Sequence, residues 1–180
     1  LKGILITPST FFSNIASGKR ATHPLFFAIV CFLLSIAADV AYQAGFNIMG
    51  RTELSIPRLI QNYPPLANLI VLALLAVLCS IVVVTLTVYL SSLVYHIILK
   101  ILGGGKAGFS ATFKVVSYSS AAHLASIIPF IGMIIASVWL VVLLVIGFKE
   151  THQITYKKSA IAVAIPFLFY CGCLLTAIGS

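Results

Sequence analysis

Apolar residues fall into five long runs, and nearly all of the charge sits in the short intervals between them. The first run is Pro24 to Phe46, interrupted only by Asp39. The second, Leu66 to Leu99, is 34 residues long and contains a single basic side chain, His96. A helix needs about 20 apolar residues to cross a ~30 Å hydrocarbon core. The pattern therefore predicts an all-α membrane protein, a bundle of five transmembrane helices at about 24–46, 66–99, 109–128, 131–148 and 160–178, forming one domain over 1–180. At ~1.5 Å per residue the second helix would extend about 50 Å, so it must tilt or project beyond the membrane.

The breaks are marked by residues that stop helices. Tyr63-Pro64-Pro65 precedes the second span, because a proline pair cannot continue a helix upstream. Gly103-Gly104-Gly105 ends it. Pro129-Phe130-Ile131-Gly132 places Pro129 and Gly132 where a tight turn wants them. No polar side chain marks that turn, so it is expected at or below the headgroups. Spans three and four then either cross fully or form a re-entrant hairpin.

Ahead of span one, Thr7-Pro8 reads as a helix start, with Thr7 as cap and Pro8 in the first turn. Phe11, Phe12 and Ile15 fall on one side of a short amphipathic helix at about 8–17. It is expected either to lie along the membrane interface or to pack on the bundle.

Orientation follows from the cations. Lys2, Lys19, Arg20, Lys100, Lys106, Lys114, Lys149, Lys157 and Lys158 fall on one side, and only Arg51 and Arg58 on the other. Nine against two places the N-terminus in the cytoplasm and the C-terminus outside, in a cell (inner) membrane.

Composition agrees with lipid as the solvent. The 180 residues are 61% hydrophobic and 8% charged, against about a quarter charged in a soluble domain. The net charge of +8 is spread between apolar runs and is not gathered on one face, which argues against nucleic acid. Anionic headgroups on the cytoplasmic side account for it. Cys31, Cys79, Cys171 and Cys173 all lie within apolar runs and read as inert thiols.

An ionisable side chain inside a span is a functional candidate when a partner can be named. Asp39 lies about 21 Å from the start of its span. His123 is 14 residues past Phe109, at nearly the same depth in a parallel span, so Asp39 and His123 are expected to share a hydrogen bond. With Cys173 they offer acceptable metal-ligand types, but no spacing signature, and neither metal nor cofactor is expected. Lys114 lies only about 8 Å deep and is expected to snorkel toward the cytoplasm, meeting Glu150 there. Span three is rich in small and hydroxylated residues, with a polar stripe at Ser117, Ser119 and Ser120. Ser117, Ala121 and Ala125 form a small-xxx-small row that should make it the central helix. No nucleophile motif, HExxH, Walker loop or GxGxxG is present, which disfavours an enzyme.

From Thr112 the chain reads TFKVVSYSSAAHLASIIPFIG, then a Trp-containing span, then IGFKETHQITYKKSAIAV. Together with the opening ILITPSTFFSNI, this order resembles the Yip1 family over nearly the whole chain. The resemblance implies five spans with a cytoplasmic N-terminus. Eukaryotic members are associated with Rab-type GTPases and with vesicle formation between endoplasmic reticulum and Golgi, and usually carry a longer N-terminal region. This chain is similar to the short prokaryotic members, which have no Rab partners.

The leading expectation is a non-enzymatic bundle that organises membrane or recruits partners, whether a second copy or another membrane protein. It would act through the amphipathic helix and basic face, and lose association when Phe11 and Phe12 become polar. The rival is a transporter or channel for a small solute or lipid, using the stripe on span three. A membrane enzyme acting on lipid is a weaker third.

Overall fold

The computed structural model describes residues 2–16, 23–48 and 65–178, with side chains described outside 43–48, 65–70, 72 and 170–178. Lys19, Arg20, Arg51, Arg58, Tyr63-Pro64 and the side chains of Cys171 and Cys173 lie outside the described residues. Every described element is helical: α1 (Lys2–Ile6), α2 (Pro8–Ala16), α3 (Pro24–Ile48), α4 (Pro65–Ile101), α5 (Phe109–Ser119), a 3₁₀ segment (Ser120–Ile127), α6 (Gly132–His152) and α7 (Tyr156–Ile178). Three stretches are long and apolar enough to cross a membrane: Pro24–Tyr42, Ala73–Ile101 and Gly132–His152.

Helix ends follow the local chemistry. After α4, Gly103 adopts a positive φ of 72° and the Gly104 N–H donates to the Leu99 carbonyl at 2.7 Å, closing a Schellman-type cap. Gln153 plays the same part after α6 at φ 53°, with the Ile154 N–H reaching the Lys149 carbonyl at 3.3 Å. That cap carries α6 four residues beyond the expected end at Phe148. Helix α7 starts at Tyr156 rather than Ala160, because the Thr155 hydroxyl accepts from the Lys158 N–H one turn in. Pro8 opens α2 as expected, but Thr7 does not cap it. The Thr7 hydroxyl donates back to the Gly3 carbonyl at 3.3 Å, the same oxygen that accepts the Thr7 backbone N–H at 3.1 Å.

The third run is not a regular α-helix. At Ser120 it tightens into eight residues of 3₁₀ helix, pressed between α3 and α6. Winding at about 2.0 Å per residue lets eight residues cover about 16 Å, nearly the reach of all of α5. It also changes which residues share a face. Ser117 and Ala121 are fully buried, as the small-residue row requires, but Ala125 is not. From Ser120 onward the repeat is three, and His123 and Ser126 face α3 together. The Ser126 hydroxyl donates to the His123 carbonyl, Ser35 and Ser126 hydroxyls lie 2.6 Å apart, and the Tyr42 hydroxyl donates to the Ile127 carbonyl.

The turn to α6 holds Pro129, exposed Phe130 at φ 67°, and Gly132. The Gly132 N–H donates to the Ile128 carbonyl at 3.0 Å, and a methyl group there would collide with the Ala125 carbonyl oxygen. Glycine is what lets the hairpin close.

Helix α5 and the 3₁₀ segment together contact α3, α4 and α6, so the third run is central, while α7 packs at the edge on α4 and α6. Of the two arrangements open to α2, the structure adopts packing. Phe12 and Ile15 are buried in the bundle, and Phe12 reaches Gly147 of α6, where an added methyl would come within 2.5 Å of Val115 and 3.2 Å of Phe12. Phe11 meets Tyr118 edge-on at 5.3 Å. Helices α1 and α2 thus form an N-terminal strap, α2 along α6 and α1 against α2 and the 3₁₀ segment.

Candidate functional site

The polar chemistry concentrates at one end of the bundle. There α4 finishes, α5 begins, α6 finishes and α7 begins, and Lys100, Lys106, Lys114, Lys149, Lys157 and Lys158 all lie close in sequence to those ends. This basic end contains a buried linkage across three helices. Thr112 Oγ1 on α5 lies 3.0 Å from His96 Nδ1 on α4 and 2.9 Å from His152 Nε2 on α6. Thr112 is fully buried, His152 is 1% exposed and His96 is 7% exposed. A hydroxyl has one proton, so with neutral rings Thr112 donates to one imidazole and accepts from the other. His152 Nδ1 is buried without a partner. The two rings are 6.4 Å apart, with Phe148 and Phe109 against them. Apolar walls and a satisfied hydroxyl make this a rigid clasp.

Beside it, α2, the start of α5 and Thr151 of α6 enclose a small, largely polar pocket of about 150 Å³. Ser110 and Lys114 of α5 line one wall, with Ile15 of the strap opposite. Thr151 borders it, and its hydroxyl is buried without a hydrogen-bond partner. Ser159, fully buried on α7, donates to the Val145 carbonyl at 2.6 Å and ties α7 to α6 just inside this end.

The expected site residues distribute as follows. His123 stacks on Phe32 with ring centroids 4.3 Å apart. Asp39 is exposed on α3, two turns beyond Phe32, and no hydrogen bond joins it to His123 among the described residues. Register explains the distance. The two spans run parallel, but Phe27, near the start of α3, packs on Tyr118, nearly ten residues into α5. Equal depth from each helix start is therefore not equal height in the bundle. Glu150 does meet a lysine, but its neighbour Lys149 at 2.6 Å. Lys114 turns instead to the pocket by Thr151. Ser117 and Ser119 are fully buried with unpartnered hydroxyls, and Ser120 donates to the Val116 carbonyl at 3.4 Å. Among the described residues no cluster of three or more metal-ligating side chains occurs.

No sequence motif marks Thr112 or His152 as part of a site. The signal was there in their positions. His96, Thr112 and His152 each sit within about two turns of a helix end facing the same side.

Elsewhere the helices turn apolar side chains outward, as at Phe26, Leu74, Leu78, Val82 and Met133. An apolar groove of about 520 Å³ lies between α4 and α7, beside Pro166. Long apolar helices, apolar exteriors and polar groups drawn to one end define a multi-pass helical membrane protein. The particular family is plain as well: the Yip1 domain matches residues 2–178, and the chain belongs to the Yip1 family. No curated protein and no solved structure matches it.

Proposed function

We propose that this chain is a non-enzymatic scaffold of the cell (inner) membrane that works through its basic end, held in the cytoplasm by the positive-inside distribution of its lysines. The observation that carries this reading is the strap. Phe12, with no exposure at all, is locked against Gly147, so the N-terminal segment and the ends of α5 and α6 make one solid cytoplasmic unit. Such a unit presents a fixed surface to a second copy or to another membrane protein. Five spans with the C-terminus outside complete the proposed topology.

Transport through span three is the competing reading, and the buried, unpartnered hydroxyls of Ser117 and Ser119 favour it. Purified protein in liposomes separates the two. The scaffold reading expects small-solute flux no greater than in protein-free vesicles, together with cross-linked oligomers of the reconstituted chain. Flux that collapses in His123→Ala or Asp39→Asn would overturn it.

A further inference from the structure

We infer that the groove between α4 and α7 holds one anionic phospholipid, with an acyl chain along the groove and the phosphate meeting Lys158 at the basic end. The groove measures about 520 Å³ and sets Val94, Tyr95 and Ile98 of α4 against Ile165, Pro166 and Phe169 of α7. It opens where α7 changes its packing. Ser159, Ala162 and Val163 are buried, whereas Phe167, Leu168 and Phe169 are more than half exposed. Pro166 stands at the change. A proline inside a helix removes a backbone hydrogen bond and loosens the fit of the following turns to their neighbours. Ser91 and Tyr95 alone bring polar side-chain atoms to the lining. Such walls suit a hydrocarbon chain and offer little to a polar solute.

The other end of the occupant follows from charge. At the basic end one side chain bridges the two helices. The Lys158 ammonium reaches from the first turn of α7 to the glycine cap of α4, 3.5 Å from where a side chain on Gly103 would begin. Ile165 follows Lys158 by two turns of α7, which puts both on one face, about 10 Å apart along the axis. Lys158 therefore stands over the basic end of the groove. No acid offsets it among the described residues, since Glu150 is engaged with Lys149 at 2.6 Å and Asp39 lies on α3. Lys100 and Lys157, both exposed, add to the positive field. Basic residues beside a crevice between membrane helices attract anionic headgroups. A zwitterionic headgroup carries its own cation, which these lysines repel, so phosphatidylglycerol is favoured over phosphatidylcholine. The site stands apart from the scaffold reading, because lipid retention is measured directly whatever the chain does for the cell.

The test uses the full chain purified in a maltoside detergent, with native mass spectrometry in an equimolar mixture of phosphatidylglycerol and phosphatidylcholine. The wild type should retain phosphatidylglycerol in preference, with one molecule per chain held most strongly. Lys158→Gln should lower that preference about fivefold, the worth of one lysine beside an anionic surface. Lys114→Gln removes the same charge from the strap side and should leave the preference unchanged. Ser91→Trp places an indole in the groove and should expel the retained lipid. Lys158 is exposed and Ser91 half-buried, so both variants should fold. If Ser91→Trp does not, the comparison of Lys158→Gln with Lys114→Gln decides the question. The inference is overturned if the wild type shows no preference, if the two lysine variants lose it equally, or if folded Ser91→Trp keeps the lipid. A lipid-free wild-type dimer that Ser91→Trp dissociates would assign the groove to a second copy and overturn it likewise.

Discussion

Thr112 holds two histidines with one hydroxyl, and its loss should be felt by both. In Thr112→Val the side-chain volume is kept, but His96 Nδ1 and His152 Nε2 lose the atom 3.0 and 2.9 Å away. Each unsatisfied buried group costs about 1–3 kcal/mol. The unfolding midpoint in detergent should fall clearly, and Thr112→Ser should restore most of it. An unchanged midpoint in Thr112→Val would mean that water replaces the hydroxyl. The clasp was hard to read from sequence because its members are 16 and 40 residues apart. No local spacing joins them, and only a shared height at one end does. Asp39 and His123 show the opposite hazard. Their depths matched by counting from helix starts, but α3 begins alongside Tyr118 rather than alongside Phe109. Hydropathy gives the length of each helix and leaves its vertical offset undetermined.

Among the elements, the strap and the 3₁₀ segment set the architecture. The strap docks because Gly147 leaves room for the Phe12 ring. Gly147→Ala would place a methyl 2.5 Å from Val115 and 3.2 Å from Phe12. Overpacking of this kind costs about 1–3 kcal/mol. Helix α2 should then release before the rest of the bundle, and limited proteolysis should cut N-terminal to Pro24 faster than in the wild type. Equal cleavage rates would show that the ring can move aside. The amphipathic pattern of Phe11, Phe12 and Ile15 was visible in the sequence, but an apolar stripe looks the same whether it faces lipid or protein. The glycine opposite decided between them. The shift to 3₁₀ winding was not legible, since Ser, Ala and His carry no period of their own strong enough to announce it. The segment packs against both α3 and α6, and tertiary context of that kind overrides local propensity.

For the whole molecule, the positions of the helices along the chain were read closely, because lipid requires every backbone group to be satisfied within a segment. The five apolar runs correspond to α3, α4, α5 with its 3₁₀ continuation, α6 and α7, and three of them carry a stretch able to cross a membrane by length and composition. Helix α4, at 37 residues, would extend about 55 Å. Reporter tags offer a direct check of orientation. A tag at the N-terminus should be accessible only from the cytoplasm and one at the C-terminus only from outside, and tags on a common side would contradict the nine-to-two division of cations. A scaffold of this kind requires the strap to be part of the bundle. Hydrogen exchange of the protein in nanodiscs tests this most directly. The amides of Phe12 to Ala16 should exchange as slowly as those of α5, and exchange at the rate of a free peptide would contradict it.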